Sequence, residues 1–234
     1  MPVFQLTDEL IFPPPEFAEA DGLLAVGGDL SPERLLLAYR SGIFPWFSEK
    51  DPILWWSPAP RSVIEPAGFK TPKRLARFIR KNPFRVTMDT AFHAVIAACA
   101  EGEKRREKST WITAEMIAAY QELHKRGHAH SVECWQGDDL VGGLYGVALG
   151  GVFFGESMFH RVSNASKVAL YVLVQQLIRW RFVMIDCQVM TGHLLQFGAY
   201  EVPRGEFDRL LAEGLSRERR KGKWRLEELL IDFT

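Results

Sequence analysis

No apolar run in the 234 residues approaches the ~20 that a membrane span requires, and residues 1–9 hold Asp8 and Glu9 rather than a basic segment leading into an apolar one. A membrane-spanning protein and a secretory leader are therefore not expected. Only three cysteines are present, Cys99, Cys134 and Cys187, far apart and without a C-x-x-C. That argues against a disulfide framework or a zinc site and suits a reducing cytoplasm. No G-x-S-x-G elbow surrounds Ser157, so a hydrolase of that kind is not expected. His124, His128 and His130 lack acidic or Cys ligands at a matching spacing, and Gly127 separates the first two, so no metal is expected. Net charge is also lacking: 29 basic and 29 acidic residues cancel.

What is present is unevenly placed. Residues 1–66 carry ten acids against four bases, whereas residues 70–85 carry seven bases and no acid. A basic face on a neutral protein suits a polyanion contact confined to one side, or a solvated helix face. At 47% hydrophobic and 25% charged, the chain is ordinary globular material of one large domain, or one plus a small one.

Residues 1 to about 60 are rich in Pro, Gly and aromatics. Ser31-Pro32-Glu33 starts a helix, with Ser as N-cap and Pro first. Gly42 ends it. Helices are then predicted over 71–81, 91–100 and 113–126, with a charged loop at 101–109. From residue 129 the apolar period changes to two, predicting strands 129–135, 140–149 and 152–159, separated by Gly137-Asp138 and Gly150-Gly151 turns. A helix over 165–180, apolar nearly all round, reads as buried. A strand over 183–189, a short segment from Leu194 to about Phe197 and a helix near 205–213 follow, and the tail after about residue 214 shows no usable pattern. Antiparallel meander, buried helix and strand is the order of GNAT-type acyltransferases. The fold class read is α+β: a GNAT-like domain over 62–234, preceded by a small N-terminal domain over 1–61.

Two of these strands contain carboxylates, Glu156 and Asp186, and Gln188 is expected on the Asp186 face because strand side chains repeat every two residues. A carboxylate in an apolar strand costs desolvation unless it is paired or used; two acids and an amide point to a site. Cys187, on the opposite strand face, reads as core. The segment His160–Lys167, which would open the main helix, holds no glycine. A GNAT-like scaffold unable to cradle a CoA pyrophosphate suggests another acyl donor. Trp46 and Trp111 stand in polar-flanked or loop contexts where an indole can stack on a base.

Several segments, 21–30 (DGLLAVGGDL), Gly42–Phe47, Trp55–Pro58, Thr110–Thr113, Gly127–Glu133, Gly155–Phe159 and Ile185–Gln188, resemble the leucyl/phenylalanyl-tRNA–protein transferase family. The resemblance runs from the N-terminus to about residue 210; Thr191-Gly192 departs from it where Asn and Asp would stand. It implies a cytoplasmic aminoacyltransferase, a monomer without cofactor or metal. The reaction implied moves Leu or Phe (possibly Met) from tRNA to an N-terminal Arg or Lys of an acceptor protein, creating an N-degron. It implies an aminoacyl pocket of Leu144, Phe153, Met158, Leu170 and Ile185, with Trp46 and Trp111 at the terminal adenosine. Lys73, Arg74, Arg77, Arg80 and Lys81 would follow the tRNA phosphates. Glu156 would take the acceptor's basic side chain. Asp186 would orient or deprotonate the α-amine, and Gln188 would position that amine or the ester carbonyl. A non-catalytic RNA-binding protein and a CoA-dependent N-acetyltransferase are the alternatives.

Overall fold

The computed structural model describes residues 3–81, 83–107, 110–218, 220 and 222–227, the side chains of 103–107 excepted. The fold is α+β and is built on two sheets. The first has the order β1-β2-β4-β3, from β1 (Phe4–Leu6), β2 (Leu23–Gly27), β3 (Phe44–Pro45) and β4 (Leu54–Trp56), with α1 (Pro32–Arg40) between β2 and β3. Ser31 accepts the Arg34 backbone N–H at 3.3 Å and Pro32 opens the helix, as the cap residues dictate.

The chain leaves this sheet at Trp56 and enters the second at β5 (Arg61–Ile64). There follow α2 (Lys73–Ile79), β6 (Arg85–Met88), α3 (Phe92–Glu107), α4 (Ala114–Lys125), β7 (Ala129–Gln136), β8 (Asp139–Leu149), β9 (Val152–His160), α5 (Ala165–Arg179), β10 (Met184–Asp186), α6 (Gly192–Leu195), β11 (Tyr200–Val202) and α7 (Arg204–Leu215). The seven strands take the order β11-β5-β10-β9-β8-β7-β6. The β6–β9 meander is antiparallel, whereas β10 returns parallel to β9 after α5, pairing Ile185 with Phe153. This is the meander, helix and strand order expected from the sequence: a crossover through a helix is what a parallel neighbour requires.

Each face of the large sheet carries a core. Phe154, Phe159, Tyr145 and Met184 face α1, α3, α4, α7 and the first sheet. Phe153, Leu144, Val132 and Ile185 face α2 and α5. Ten of the fifteen α5 residues are buried, because the helix lies wholly within that second layer.

Three sequence expectations need correction. The charged segment 101–109 is not a loop as far as Glu107: α3 continues through it, since Glu, Lys and Arg are good helix formers; residues 108 and 109 lie outside the described residues. The strand predicted over 183–189 ends at Asp186, and Gln188 has φ +56°, so alternation does not carry Gln188 onto the Asp186 face. In β9, Tyr145 pairs with Ser157 and Gly146 with Gly155, which leaves Glu156 as the extra residue of a β-bulge. A bulge re-aims a side chain and reverses the strand's parity. Phe154 and Phe159 therefore share one face, and Phe153 and Met158 the other.

Candidate active site

The bulge turns Glu156 toward two helices of the first layer. Its Oε1 accepts the Tyr39 hydroxyl of α1 at 2.8 Å and its Oε2 the Tyr120 hydroxyl of α4 at 3.0 Å; the two hydroxyl oxygens also stand within hydrogen-bonding distance of each other, a contact that takes a proton only when one phenol gives up its bond to the carboxylate or Glu156 is itself protonated. Burial pushes the Glu156 carboxyl up to about 7, against both phenol donors and Arg61, which pull it down, while Asp186 adds to the rise. The desolvation cost wins because neither donor is charged. Burial beside Glu156 drives both phenols well above their ordinary range, so they remain donors.

Asp186 is fully buried and committed on both oxygens. Arg61 Nε donates to Oδ1 at 2.9 Å and Nη2 to Oδ2 at 2.8 Å, a bidentate charge-assisted pair. Arg61 Nη1 donates to the Gly42 carbonyl at 3.0 Å, and its guanidinium lies between the Phe44 and Phe207 rings, 4.8 and 4.7 Å from their centroids. Asp186 Oδ1 also accepts the Gln188 backbone N–H at 2.9 Å. The pair thus anchors the turn that presents Gln188. Gly42 has φ +71°, and a Cβ there would stand 2.7 Å from Phe207 Cε1. Gly42→Ala is expected to cost about 1–3 kcal/mol, visible as a lowered midpoint in urea; an unchanged midpoint would show that this packing is loose.

In front of this framework lies a cavity of about 890 Å³. Leu144, Phe153, Met158, Leu170 and Ile185, the five residues of the expected aminoacyl pocket, all line it, joined by Leu173. Glu156 and Gln188 line it too, and so do His160, Arg161, Lys167 and His193. Asp186 does not line it; it stands behind the wall, bonded to Arg61 and to the Gln188 backbone N–H. Cys187 is placed differently from expectation: it is half-buried and lines the cavity, because the strand stops before it. Burial and the Asp186 charge push its thiol well above the ordinary range, which leaves it no thiolate to attack with.

Other expected residues stand apart from the cavity. Trp46 is half exposed, edge-on to Trp56 at 5.6 Å. Trp111 is partly buried against the first core. Lys73, Arg74, Arg77, Arg80 and Lys81 are all exposed on or just beyond α2. None of the seven lines the cavity. His124 Nδ1 meets the Ala129 carbonyl at 2.8 Å and lies 4.0 Å from Asp89, which His130 Nδ1 meets at 2.8 Å. No group of three potential metal ligands occurs among the described residues, and no described helix is long and apolar enough to cross a membrane. Thr191 caps α6, accepting the Leu194 N–H at 3.3 Å.

Sequence reading missed Tyr39, Tyr120 and Arg61. The two tyrosines sit at core positions of amphipathic helices, where nothing distinguishes them from packing residues. Arg61 follows a Pro-rich turn and reads as surface. The bulge did leave a trace: Gly155 interrupts the strand, and apolar pairs flank it at 153–154 and 158–159.

Comparison with known proteins adds the family. Residues 63–212 match the sequence model of the leucyl/phenylalanyl-tRNA protein transferases, and residues 28–59 that of their N-terminal domain. A leucyl/phenylalanyl-tRNA–protein transferase of Syntrophobacter fumaroxidans is 62% identical over 92% of this chain and 92% of its own length. One of Solidesulfovibrio magneticus is 56% identical over 96% of this chain and 91% of its own. One of Anaeromyxobacter dehalogenans is 54% identical over 97% of each. With both parts of the family pattern matched, and relatives this similar along nearly their full length, the chain belongs to the leucyl/phenylalanyl-tRNA–protein transferase family.

Proposed function

We propose that this aminoacyltransferase moves Leu or Phe, and Met by the same fit, from the 3′ end of tRNA to an N-terminal Arg or Lys of an acceptor protein. The observation that carries the reading is an apolar cavity wall placed next to a half-buried acid. The wall of Leu144, Phe153, Met158, Leu170 and Ile185 suits an unbranched or aromatic side chain and rejects a charged one, which would lose hydration without a partner. Glu156, as carboxylate, is the group to receive the acceptor's cationic side chain. At about 890 Å³ the cavity has the size of an ordinary small-molecule pocket, enough for an aminoacyl group and the end of a peptide.

The reaction is aminolysis of an ester. The neutral α-amine attacks the carbonyl carbon, a C–N bond forms, the C–O bond to the ribose breaks, and the amine's proton ends on the ribose oxygen. This chain supplies placement. Gln188 positions the amine or the ester carbonyl. Asp186, held by Arg61, fixes Gln188 and orients it rather than removing a proton, since both its oxygens are already committed. Trp46 and Trp111 are the proposed contacts of the terminal adenosine, and Lys73, Arg74, Arg77, Arg80 and Lys81 of the acceptor-stem phosphates. The division at residues 61 and 62 assigns the adenosine contact Trp46 to the small unit and the acyl pocket to the larger. The product carries an N-degron, and the work is cytoplasmic, done by a monomer.

The test is transfer of radiolabelled Leu from charged tRNA onto two peptides, one beginning with Arg and one with Ala. Label on the Arg peptide alone is expected. Label on both, or tRNA binding without label on either, would refute the proposal. A sharper expectation concerns pH. The Tyr39 hydroxyl favours the charged form of Glu156, so Tyr39→Phe raises that carboxyl further above 7. The acid limb of kcat/KM for the Arg peptide then moves to higher pH, by roughly half a unit to one unit. Activity lost near neutrality returns at about pH 8.5; a profile lowered equally at every pH would count against Glu156 as the titrating group.

A further inference from the structure

Phe153 forms part of the apolar cavity wall, and a residue outside the family-matched region stands behind it. The matched region ends at residue 212. Beyond it, the chain returns to the second core and inserts Trp224, which is 3% exposed and does not line the cavity. The indole stacks on the His130 ring at 3.8 Å and 6° and lies 6.0 Å from the Phe153 ring centroid; Trp180 at 4.8 Å and Phe182 at 6.0 Å close the other sides. The Trp224 backbone N–H donates to Asp89 Oδ2 at 2.6 Å, the same oxygen that His130 meets.

The segment is tied at both ends of this insertion. Arg220 lies 4.1 Å over the Trp180 ring. Trp180 Nε1 donates to Glu227 at 2.7 Å, and the Glu227 N–H donates to Gln176 of α5 at 3.1 Å. On its other side Phe153 rests on β8, where a Cβ at Gly146 would come within 2.6 Å of its ring. Phe153 is thus clamped between a glycine, which leaves room for it, and an indole, which stops it retreating.

We propose that Trp224 is a specificity-determining positioning residue for the acyl donor: it sets the depth of the cavity by holding Phe153 forward. This rests on the reading that the cavity takes the aminoacyl side chain. A core aromatic is held by close packing on all sides, and a neighbour removed from one side lets it move into the space left. With Trp224 truncated, Phe153 drops back, the cavity deepens, a Leu side chain loses contact and a Phe side chain gains room.

The test is kcat/KM for transfer of Phe and of Leu from their charged tRNAs onto one Arg-initiated peptide, in the full chain. Trp224→Ala is expected to raise the Phe-to-Leu ratio by about 10-fold, the scale of a one-methylene mismatch in an apolar pocket, with the KM for the peptide unchanged. Trp224→Phe should shift the ratio in the same direction but by much less than alanine does, since it keeps a ring behind Phe153 and breaks no hydrogen bond, the indole N–H having no partner among the described residues. If Trp224→Ala does not fold, Trp224→Leu reads the same ratio with a smaller shift. Leu24→Ala, in the first sheet and the other core, is the control for destabilisation alone and should leave the ratio unmoved. A folded Trp224 variant with an unchanged ratio overturns the proposal, and so does an equal shift in Leu24→Ala. A wild-type chain that transfers neither residue overturns instead the donor reading beneath it.

Discussion

Arg61→Ala is expected to cost about 3–5 kcal/mol of folding stability and to abolish transfer, while tRNA binding in the surviving folded fraction stays close to wild type. Arg61 is 1% exposed, and every contact of its guanidinium is internal: two bonds to Asp186, one to the Gly42 carbonyl, and two aromatic faces. Alanine leaves Asp186 buried without its counter-charge, and that uncompensated charge accounts for most of the loss. Urea unfolding measures it; a loss under about 1 kcal/mol would mean that water reaches Asp186 and that the pair is not the anchor described. Lysine should not rescue the variant, because a single ammonium cannot match both carboxylate oxygens.

Stability and catalysis can be separated at this pair. A double replacement, Arg61→Met with Asp186→Leu, removes both charges together. Such swaps are often neutral or stabilising, so most of the stability should return. Transfer should not return, because the Gln188 N–H loses the oxygen that holds its turn. Recovery of activity in the double variant would show that Gln188 finds its position without Asp186. Asp186→Ala alone should cut turnover far more than tRNA binding; an equal fall in both would remove Asp186 from the chemistry altogether.

The large sheet's meander and α5 are legible because their patterns are long: strands of eight to eleven residues in β7–β9 and a fifteen-residue helix, α5, with ten apolar residues. β3, β10 and β11 have two or three residues each, too few to establish a period, and the strand expected over 183–189 outruns β10 for that reason. Within the site, the carboxylates stood out because charge is costly inside apolar strands. Their partners did not. Tyr39 is eighty-one residues from Tyr120 in sequence, and Arg61 is a hundred and twenty-five from Asp186, so only the packing of α1 and α4 and the pairing of β5 with β10 bring them together. A single sequence holds no record of those contacts. The clamp on Phe153 is hidden for the same reason: Trp224 lies in a tail without a periodic pattern, and only tertiary structure shows where its indole goes.

Glu156→Gln should move stability and specificity in opposite directions. The folded-state carboxyl titrates at about 7 against an ordinary value of 4.5, so the native state holds its proton more tightly than the unfolded chain does. Between those two values each rise in pH removes stability, and above about 7 the full penalty is present. Glutamine carries no charge at any of these pH values and keeps a carbonyl oxygen for the tyrosine hydroxyls. The variant is therefore expected to be more stable than wild type above pH 7, by of the order of 1–3 kcal/mol, with the advantage fading toward pH 4.5. Transfer to an Arg-initiated peptide should meanwhile fall roughly 100-fold, since the guanidinium loses its counter-charge in a partly desolvated site. Binding of charged tRNA should be unchanged. The Arg peptide's advantage over the Ala peptide should collapse with it, and the acid limb of the pH profile should disappear, because the titrating group is gone. Thermal melts across pH and paired-peptide kinetics read the two effects separately. A variant that is less stable at pH 8, or one that still prefers Arg, would show that Glu156 is a structural acid bound to its two tyrosines and that the acceptor's charge is met elsewhere in the cavity.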